Sequence, residues 1–242
     1  IWAESEGGGY PILCWQLPQG FGLPTFSGGT GEADDPYRIS TPSELNGIGH
    51  NPRLMDAYFE LVNDIDLAGI DFYIIGSEFY PFTGSFNGNG HTISHMTIVG
   101  NDSLGLFGYL ESGAEVKNLG VVDVNVTGSY YCGGLVGFNS GGSITSSYST
   151  GEVSATSWEV GGLVGDSMSR AEVHNSFWDS QTSGQSTSAG GIGKTTAEMR
   201  TVSTFLEAGW DFVGETANGT EDIWWIDEGK DYPRLWWQAA RP

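Results

Sequence analysis

Apolar residues recur through the middle of the chain with a period of 28 or 29 residues. A Gly-Leu-x-Gly motif occurs three times, at Gly105–Gly108, Gly134–Gly137 and Gly162–Gly165. A second series keeps the same spacing: Val116-Lys117-Asn118, Ile144-Thr145-Ser146 and Val173-His174-Asn175. The segments between them are short runs of Val, Ile, Thr, Tyr and Ser without the period of an amphipathic helix. This pattern predicts an all-β solenoid whose coils each contain about three short strands.

The repeated motif indicates how such coils would pack. Leucine and the apolar residue after it would point inward, so that like residues of successive coils stack in ladders. The glycines would either adopt positive φ at a corner or let neighbouring backbones approach closely. Because one coil cannot bury its own inward face, several coils must stack before the fold is stable.

A capping box predicts a helix before the repeated region. Thr41-Pro42-Ser43-Glu44 has the spacing of that motif, with proline at the first helical position. The helix is expected to begin there and to end at Asn51-Pro52. Leu45 and Ile48 would face inward and cover the N-terminal mouth of the solenoid.

The C-terminal region is predicted to be helical at first and then rich in aromatic residues. Thr195 and Glu198 form a second capping box, which predicts a short helix through Arg200 and a further turn closed by Gly209. The aromatic residues that crowd the end of the chain are Trp210, Phe212, Trp224, Trp225, Tyr232, Trp236 and Trp237. They could form a plug over the final coil, a contact surface for the next subunit, or a platform that stacks sugars.

The opening of the chain repeats a segment near its other end. Residues 1–16 align without a gap onto residues 223–238, at an offset of 222, and nine of the sixteen positions are identical. The two segments are either similar caps of one solenoid or the ends of modules that are chained covalently or head to tail. A terminal segment that fits a neighbouring chain makes a non-closing contact, which produces fibres. The residues predicted to bury aromatic surface against a neighbour's end coil are Trp2, Tyr10, Pro11 and Trp15 at one end, and Trp224, Tyr232, Pro233 and Trp237 at the other.

Several motifs resemble the GLUG-motif repeats of large secreted and surface proteins of prokaryotes. The segments that carry the resemblance are Gly133–Gly137 with Ile144–Ser154, Ser176–Asp179 with Gly190–Thr196, and Asp64–Leu67 with Phe82–Ile93. The resemblance implies a right-handed parallel β-helix (a β-solenoid) in an extracellular setting, and it implies no particular activity. Some IgA-cleaving metallopeptidases contain such repeats, but this sequence has no His-Glu-x-x-His motif.

These patterns divide the chain into one full module preceded by a short segment. Residues 1–17 are the terminal segment that duplicates the module end, and residues 18–36 are a linker. Residues 37–194 form the β-helix with its N-terminal capping helix. Residues 195–242 form a C-terminal cap that is helical and Trp-rich. A chain that starts at Ile1 is expected to be a processed product or a part of something longer.

Composition and charge narrow the range of partners. Nine Lys and Arg residues against thirty Asp and Glu residues give a formal net charge of −21 at pH 7. Such a chain is expected to avoid nucleic acids and anionic membrane surfaces. No run of about 18 apolar residues occurs, so membrane insertion is not expected. The expected partners are further copies of the same module or, as the alternative, a glycan.

Asp64 and Asp66 are the candidate metal ligands. Their carboxylates could contribute to a Ca²⁺ site, or they could accept hydrogen bonds from backbone N–H groups in a turn. His91 and His95 would lie about 13 Å apart along a strand, too far to share a metal ion. We expect these histidines to be solvated or to lie in turns. Apart from Ca²⁺ at the two aspartates, no cofactor is predicted.

Cys14 and Cys132 are far apart in sequence, and neither lies in a Cys-x-x-Cys motif. This argues against zinc and thioredoxin-type chemistry. In an oxidising exterior the two thiols could form a disulfide that ties the opening segment to the solenoid.

Catalysis is not expected from this sequence. β-Helix enzymes that cleave acidic polysaccharides need basic residues beside a carboxylate or Ca²⁺ cluster, whereas the repeated region Gly105–Asp179 contains only Lys117 and Arg170. The sequence therefore predicts a non-enzymatic extracellular structural module, a subunit of a head-to-tail surface fibre or of a tandem array. The alternatives are an adhesin-like or carbohydrate-binding module and, less favoured, a β-helix enzyme that acts on polysaccharides.

Overall fold

The computed structural model of this chain describes residues 24–156 and 159–235, together with the backbone of two short strands near the N-terminus. The strands, numbered in chain order, are β1 (Trp2–Ala3), β2 (Ile12–Leu13), β3 (Tyr37–Ile39), β4 (Tyr58–Leu61), β5 (Ile65–Asp66), β6 (Ser85–Asn87), β7 (Thr92–Ser94), β8 (Thr97–Val99), β9 (Asp102–Leu104), β10 (Phe107–Leu110), β11 (Glu115–Lys117), β12 (Gly120–Gly128), β13 (Tyr130–Gly133), β14 (Val136–Asn139), β15 (Ser143–Thr145), β16 (Tyr148–Ala155), β17 (Val160–Gly161), β18 (Val164–Ser167), β19 (Glu172–His174), β20 (Phe177–Asp179), β21 (Ile192–Lys194), β22 (Trp224–Trp225) and β23 (Arg234–Leu235). The helices are α1 (Pro42–Gly49), α2 (Ser180–Ser183) and α3 (Val202–Leu206), with 3₁₀ helices at Pro52–Leu54 and Glu198–Arg200.

The strands between Tyr37 and Lys194 form a parallel β-helix. Sheet 1 has the strand order β3-β4-β6-β11-β15-β19. Sheet 2 has the order β5-β7-β12-β16-β20-β21, with β8 also paired to β12. Sheet 3 (β10-β14-β18) and sheet 4 (β9-β13-β17) complete the coils. Strand partners belong to successive coils, as where Val116 pairs with Ile144, so the predicted solenoid is confirmed.

Inward-facing residues stack in ladders along the axis of the solenoid. The ladder of sheet 1 is Phe59, Phe86, Val116, Ile144 and Val173. The ladder of sheet 2 is Ile65, Ile93, Val121, Ser149 and Trp178. All of these except Val173 are buried. Because paired strands lie about 4.8 Å apart, each side chain covers its counterparts in the coils above and below.

The Gly-Leu-x-Gly motifs lie where neighbouring coils approach most closely. Their leucines, Leu106, Leu135 and Leu163, are fully buried. None of the motif glycines has a positive φ. A Cβ atom added to Gly137 would lie 2.5 Å from the carbonyl carbon of Ser103. Close backbone approach is therefore the role of these glycines, and the alternative of a positive-φ corner is wrong.

Positive φ occurs instead at the corner that follows sheet 1. Asn118, Ser146 and Asn175 have φ values of 52°, 48° and 51°, and each directly follows a strand of that sheet. Each is the last residue of one copy of the second repeated motif. Asparagine tolerates the left-handed region better than most residues because its short polar side chain can form local hydrogen bonds. The repeated series therefore encodes both the inward residue and the corner after it.

The N-terminal helix forms as the capping box predicts. Thr41 Oγ1 accepts a hydrogen bond from the Glu44 backbone N–H at 3.3 Å, and Glu44 Oε2 accepts one from the Thr41 N–H at 2.9 Å. Leu45 and Ile48 are fully buried and join the same cluster as Ile39 of the first coil. Helix α1 therefore closes the N-terminal part of the solenoid core.

The last coil is closed by Trp178 and the segment that follows α2. Trp178 belongs to the solenoid core, and its Nε1–H donates to the Gln185 carbonyl at 3.4 Å. The Val164 N–H donates to Ser188 Oγ at 2.9 Å, and the Ala189 N–H donates to the Val164 carbonyl at 3.0 Å. These bonds satisfy part of the outer edge of sheet 3.

A second buried cluster, which we call the flank cluster, lies on the outer side of sheet 2. Its members are Tyr148, Phe177, Met199, Phe205, Trp210, Phe212, Trp224, Ile226 and Tyr232. Tyr148 and Phe177 directly precede the core residues Ser149 and Trp178 on β16 and β20. Because successive side chains of a strand point to opposite faces, Tyr148 and Phe177 point away from the solenoid core. The Trp-rich C-terminal segment therefore covers the side of the solenoid, and its predicted position as a plug over the final coil is wrong.

Candidate interaction surfaces

The predicted contact residues near the C-terminus are buried within their own module. Trp224 is 1 % exposed, Tyr232 is 8 % exposed, and Pro233 is also buried. The structure therefore does not leave these three side chains free to pack against a neighbour's end coil. The remaining predicted contact residues, Trp2, Tyr10, Pro11, Trp15 and Trp237, have side chains outside the described residues, and their role stays a prediction.

Trp224 and Leu235 lie in a small antiparallel hairpin, β22–β23, which we call the closing hairpin (residues 223–235). Trp224 pairs with Leu235, and Trp225 pairs with Arg234. The Trp224 ring centroid lies 4.5 Å from that of Trp210 and 6.3 Å from that of Tyr148. Such aromatic pairs contribute about 0.5–1.5 kcal/mol each beyond the area they bury.

The hairpin lies beside the start of β7 and β12, where Gly90 and Gly120 have no side chain. A Cβ atom on Gly90 would lie 2.7 Å from a Leu235 methyl carbon and 2.8 Å from an Ile223 methyl carbon. A Cβ atom on Gly120 would lie 2.6 Å from the ring of Tyr148. These two glycines leave the space that the hairpin and the Tyr148 ring occupy.

Two tyrosine hydroxyls fix the hairpin against the sheet. The Tyr148 hydroxyl donates to the Pro233 carbonyl at 2.7 Å, and the Tyr232 hydroxyl donates to Asp179 Oδ2 at 2.8 Å. Burial raises the pKa of Tyr148 well above its usual value. Burial, together with the hydrogen bond and charge of Asp179, raises the pKa of Tyr232 to about 12. Both hydroxyls therefore remain protonated donors at neutral pH.

Asp179 connects the hairpin to the last coil. It is fully buried, and its Oδ1 accepts hydrogen bonds from the Gln181 and Thr182 N–H groups at 2.9 and 3.1 Å. These bonds cap α2. With Tyr232 on the other oxygen, three donors compensate the buried carboxylate for its lost hydration.

The turn of the hairpin contacts the helical segment before it. Glu228 Oε2 accepts a hydrogen bond from the Val202 N–H at 2.9 Å. The Gly229 N–H donates to the Arg200 carbonyl at 2.7 Å, and Gly229 has a φ of 77°. The turn therefore favours glycine at this position. The identities between residues 1–16 and 223–238 already pointed to it, because Glu6 and Gly7 align with Glu228 and Gly229.

The opening segment of the chain forms a hairpin with the same register. Strand β1 pairs antiparallel with β2, so that Trp2 lies opposite Leu13 and Ala3 lies opposite Ile12. Each of these residues is 222 positions before its counterpart in β22 or β23. The duplication seen in the sequence is therefore also a duplication of backbone pairing.

A different surface carries exposed aromatic rings beside acidic residues. Phe79 is 84 % exposed and Tyr80 is 46 % exposed. Together with Glu78 and Asp102 they line a cleft of about 390 Å³. Nearby rings are half-buried: the Phe138 centroid lies 5.0 Å from that of Tyr109 and 5.1 Å from that of Tyr131. Burial raises the pKa of Tyr131, as do the negative charges of Glu159, Asp166, Asp102 and Glu78.

The candidate metal ligands Asp64 and Asp66 pair with histidines of the next coil. His91 Nδ1 lies 3.1 Å from Asp64 Oδ1, and His95 Nδ1 lies 2.8 Å from Asp66 Oδ1. Asp66 also accepts a hydrogen bond from the Ala68 N–H at 2.9 Å, as expected for a turn. Within residues 24–156 and 159–235, no three His, Cys, Asp or Glu side chains are grouped to hold a metal ion. Ca²⁺ binding at these aspartates stays a prediction.

The two histidines differ in environment. His91 is buried and not solvated, but it ends a turn, as the alternative expected, because its N–H donates to the Gly88 carbonyl at 2.8 Å. His95 is exposed and has a φ of 56° at a corner. Ionisable pairs between coils were missed in the sequence because they depend on which residues of successive coils are paired.

Cys132 is a buried free thiol. Burial, with a smaller contribution from the charge of Asp102, raises its pKa to about 11. A thiol in this state is a poor nucleophile at neutral pH. Its proposed partner Cys14 lies outside the described residues, so the disulfide stays a prediction.

Comparison with known proteins supports the repeat assignment. The family model of the GLUG motif matches residues 128–154, which contain β13, β14, β15, all of β16 except Ala155, and one full Gly-Leu-x-Gly motif. The resemblance to GLUG-motif repeat proteins is thereby confirmed, and the chain contains this motif.

Two relatives extend the match over more of the chain. Halomucin of Haloquadratum walsbyi is 35 % identical over 159 residues, which are 61 % of this chain and 2 % of that protein. A candidate Gly-rich membrane protein of Evansella cellulosilytica is 40 % identical over 129 residues, which are 50 % of this chain and 14 % of that protein. The chain thus spans a small part of either relative. In the described residues, no helix is long and apolar enough to cross a membrane.

A solved structure shares the fold. The crystal structure of a candidate immunoglobulin A1 protease from Bacteroides ovatus matches with a TM-score of 0.50 and 20 % sequence identity. The match covers 64 % of this chain and 60 % of that one. At this level of identity the likeness concerns the fold alone.

Proposed function

We propose that this chain is a non-enzymatic structural module of an extracellular surface array, in which solenoids of the same type follow one another. One observation carries the proposal: hairpins with the same backbone register occur at both ends, 222 residues apart. Residues 223–238 end this module, and a similar segment, residues 1–16, stands before it. This is the order expected where one module follows another. The array is either a tandem within one polypeptide or a head-to-tail fibre.

The architecture suits a spacer that keeps its shape. Each coil is held to its neighbours by parallel strands and stacked side chains, and stability in such repeats is a sum over neighbouring coils. A net charge of −21 keeps long assemblies apart in solution. Both curated relatives are longer proteins, and the name of one places it in a membrane. These observations support a surface setting.

Negative-stain electron microscopy over a concentration series tests self-assembly. Sheet 1 has six strands, so the solenoid is about 25 Å long at the usual strand spacing, and an assembled array should show an axial repeat of at least that length. Filaments or rods that lengthen with concentration are the expected result. Uniform single particles at every concentration would contradict a head-to-tail fibre.

A chelator arm tests the calcium prediction separately. If Ca²⁺ at Asp64 and Asp66 stabilises the array, EDTA should shorten the filaments, and the paired Asp64→Asn and Asp66→Asn variant should no longer respond to it. Filaments that are the same with and without EDTA would argue against the site while leaving the structural role intact.

The aromatic cleft favours a second candidate, a glycan-binding surface. Exposed rings such as Phe79 and Tyr80 can stack on sugar faces, and Glu78 and Asp102 can accept hydrogen bonds from sugar hydroxyls. A glycan array tests this idea with the wild type, a Phe79→Ala/Tyr80→Ala variant and the control Ile192→Ala, at an exposed position of the last strand of sheet 2. Binding that the control keeps and the double variant loses would support it, whereas no binding by the wild type would reject it.

A further inference from the structure

We propose that the opening hairpin, residues 1–16, is a docking element that fits the flank of a second solenoid module. Its binding site would be the surface that the closing hairpin occupies in this module, formed around Gly90, Gly120, Tyr148 and Asp179. The inference rests on the proposed chain of modules, and it specifies the surface through which neighbours connect. In this proposal the neighbouring modules touch at the side of the solenoid, whereas the sequence predicted contact at the neighbour's end coil.

The pattern of identity between the two hairpins follows the contacts to the solenoid. Seven described residues of the closing hairpin are identical in the opening segment: Ile223, Trp224, Glu228, Gly229, Tyr232, Pro233 and Leu235. Each of them contacts the rest of the module through the flank cluster, through Gly90, or through a hydrogen bond to Tyr148, Asp179, Arg200 or Val202. The opening segment therefore retains the residues that recognise the flank.

The positions that differ include four ionisable side chains that are at least partly exposed, and the half-buried Trp225, with which Ala3 aligns. Asp227 and Lys230 form a surface ion pair at 3.2 Å, and Asp231 and Arg234 form another at 3.1 Å. The opening segment has Ser5, Gly8, Gly9 and Ile12 at these positions. Surface pairs of this kind contribute little to stability, so their loss leaves docking intact.

One buried position departs from this pattern. Ile226 is 8 % exposed, and Glu4 aligns with it. A carboxylate at this position must reach solvent or a donor on the partner. The opening hairpin is therefore expected to bind the flank more weakly than the closing hairpin does.

The partner that fits is a second copy of this type of module. The binding surface needs glycine where Gly90 and Gly120 lie, a tyrosine hydroxyl to meet the proline carbonyl, and a buried carboxylate to accept from the tyrosine. In this chain that surface is filled by the closing hairpin. Because the closing hairpin is tethered, its effective concentration is in the millimolar range or above, so the opening hairpin binds in trans once the closing hairpin is weakened.

A pair of variants in the full chain tests this competition. Trp224→Ala weakens the closing hairpin and leaves Trp2 intact, whereas Trp2→Ala/Trp224→Ala weakens both hairpins equally. In sedimentation velocity over a 100-fold concentration range, the single variant should form dimers or longer chains, and the double variant should remain monomeric. Equal sedimentation of the two variants would overturn the proposal.

A crosslinking experiment covers the case in which Trp224→Ala does not fold. In a background with Cys14→Ala and Cys132→Ala, a Glu6→Cys chain is mixed with a Ser203→Cys/Tyr232→Phe chain, whose closing hairpin is weakened by loss of the bond to Asp179, and treated with a short bismaleimide. Ser203 is exposed and adjacent to Val202, which bonds Glu228. A crosslinked dimer is expected, and it should exceed that from a Ser5→Cys chain, whose counterpart Asp227 forms a surface ion pair. The chain Glu228→Cys/Ser203→Cys, which should crosslink within itself, shows that the reagent spans the distance.

The outcomes separate this inference from the proposed function. Filaments that persist in a Trp2→Ala variant, with no Glu6→Cys crosslink, would keep the structural role and reject the docking hairpin. A Glu6→Cys crosslink without wild-type filaments would support the docking hairpin and indicate that modules connect only within a longer polypeptide.

Discussion

The solenoid core and the flank cluster are two buried regions built in different ways. The solenoid core consists mainly of aliphatic residues and phenylalanines that stack in register, coil upon coil. The flank cluster consists mainly of large aromatic residues, among them Trp210, Trp224 and Tyr232, and it has no repeat. It joins the outer face of sheet 2 to a segment that follows the solenoid in sequence.

The difference shows that the two regions stabilise the protein in different ways. A ladder residue contacts its counterparts in the neighbouring coils, so each coil adds a similar amount of stabilising free energy. The core can therefore be lengthened by adding coils. The flank cluster forms once, because it needs particular rings at Tyr148 and Phe177 and the absence of side chains at Gly90 and Gly120. We therefore expect the two regions to respond differently to substitution.

The largest effect is expected in a ladder. Phe86 is fully buried between Phe59 and Val116, and Phe86→Ala should lower the free energy of unfolding by about 3–5 kcal/mol because it leaves a cavity. Urea denaturation followed by far-UV circular dichroism measures this. Val99→Ala, at a 79 % exposed strand position, is the control and should change little. A cost below about 1 kcal/mol for Phe86→Ala would mean that the coils repack around the cavity.

A smaller and more local effect is expected at Gly120. A Cβ atom there would lie 2.6 Å from the Tyr148 ring, so Gly120→Ala should displace the ring and loosen the flank cluster, at about 3 kcal/mol. Tryptophan fluorescence should shift to longer wavelength while the far-UV spectrum of the solenoid is kept. Asn125→Ala, on the exposed face of the same strand, should leave both signals unchanged. Simultaneous loss of both signals would show that the two regions unfold as one.

The hydroxyl of Tyr232 is expected to have a smaller effect on stability than Gly120→Ala. Tyr232→Phe leaves Asp179 with its two backbone donors only, and the cost should be about 2 kcal/mol, as for hydrogen bonds to charged groups. Tyr130→Phe, at an exposed position, is the control. Thermal unfolding followed by tryptophan fluorescence compares the two, and equal midpoints would show that water replaces the missing donor.

The same tyrosine makes the flank cluster sensitive to alkaline pH. Because the pKa of Tyr232 is raised to about 12 in the folded protein, its protonated form contributes stability that is complete below about pH 10, the unfolded value. That contribution is lost as the pH rises through about 12. A titration of tryptophan fluorescence should show the flank opening over this window in the wild type. In Tyr232→Phe the change should be smaller, and an equal change would assign the transition to other groups such as Tyr148.

The smallest effect is expected at the N-terminal cap. Burial alone would raise the pKa of Glu44, but hydrogen bonds from Ser27, Ser40 and Thr41 outweigh it and lower the pKa. A lowered pKa contributes stability above about pH 4.5 that is lost as the pH falls through the folded value. Glu44→Gln should therefore cost about 1 kcal/mol at pH 7 and progressively less below pH 4.5. Urea titrations at several pH values measure this, with the exposed Glu172→Gln as control. A loss of unfolding free energy in Glu44→Gln that is the same at every pH would contradict the prediction.

The sequence predicted local features well where a short pattern determines them. The capping boxes at Thr41 and Thr195 and the inward position of Leu45 follow from residues within one or two turns. In the second box the Glu198 N–H donates to Thr195 Oγ1 at 3.3 Å, and the Thr195 N–H donates to Glu198 Oε2 at 2.8 Å. The position of the flank cluster did not follow, because nothing near Trp224 shows that Gly90 and Tyr148 lie beside it. The burial of His91 was missed for the same reason, since its partner Asp64 belongs to the previous coil.

By itself, the sequence determined the repeat, the all-β solenoid, the N-terminal helix and the duplication of residues 1–16. These features depend on spacing, on side-chain volume and on local hydrogen bonds, all of which can be read along the chain. Only the tertiary structure decided that the aromatic segment lies on the side of the solenoid and that Trp224, Tyr232 and Pro233 are buried within their own module. The reason is physical: an aromatic side chain packs equally well against any apolar surface of matching shape, and the matching surface is created only when distant strands are placed side by side.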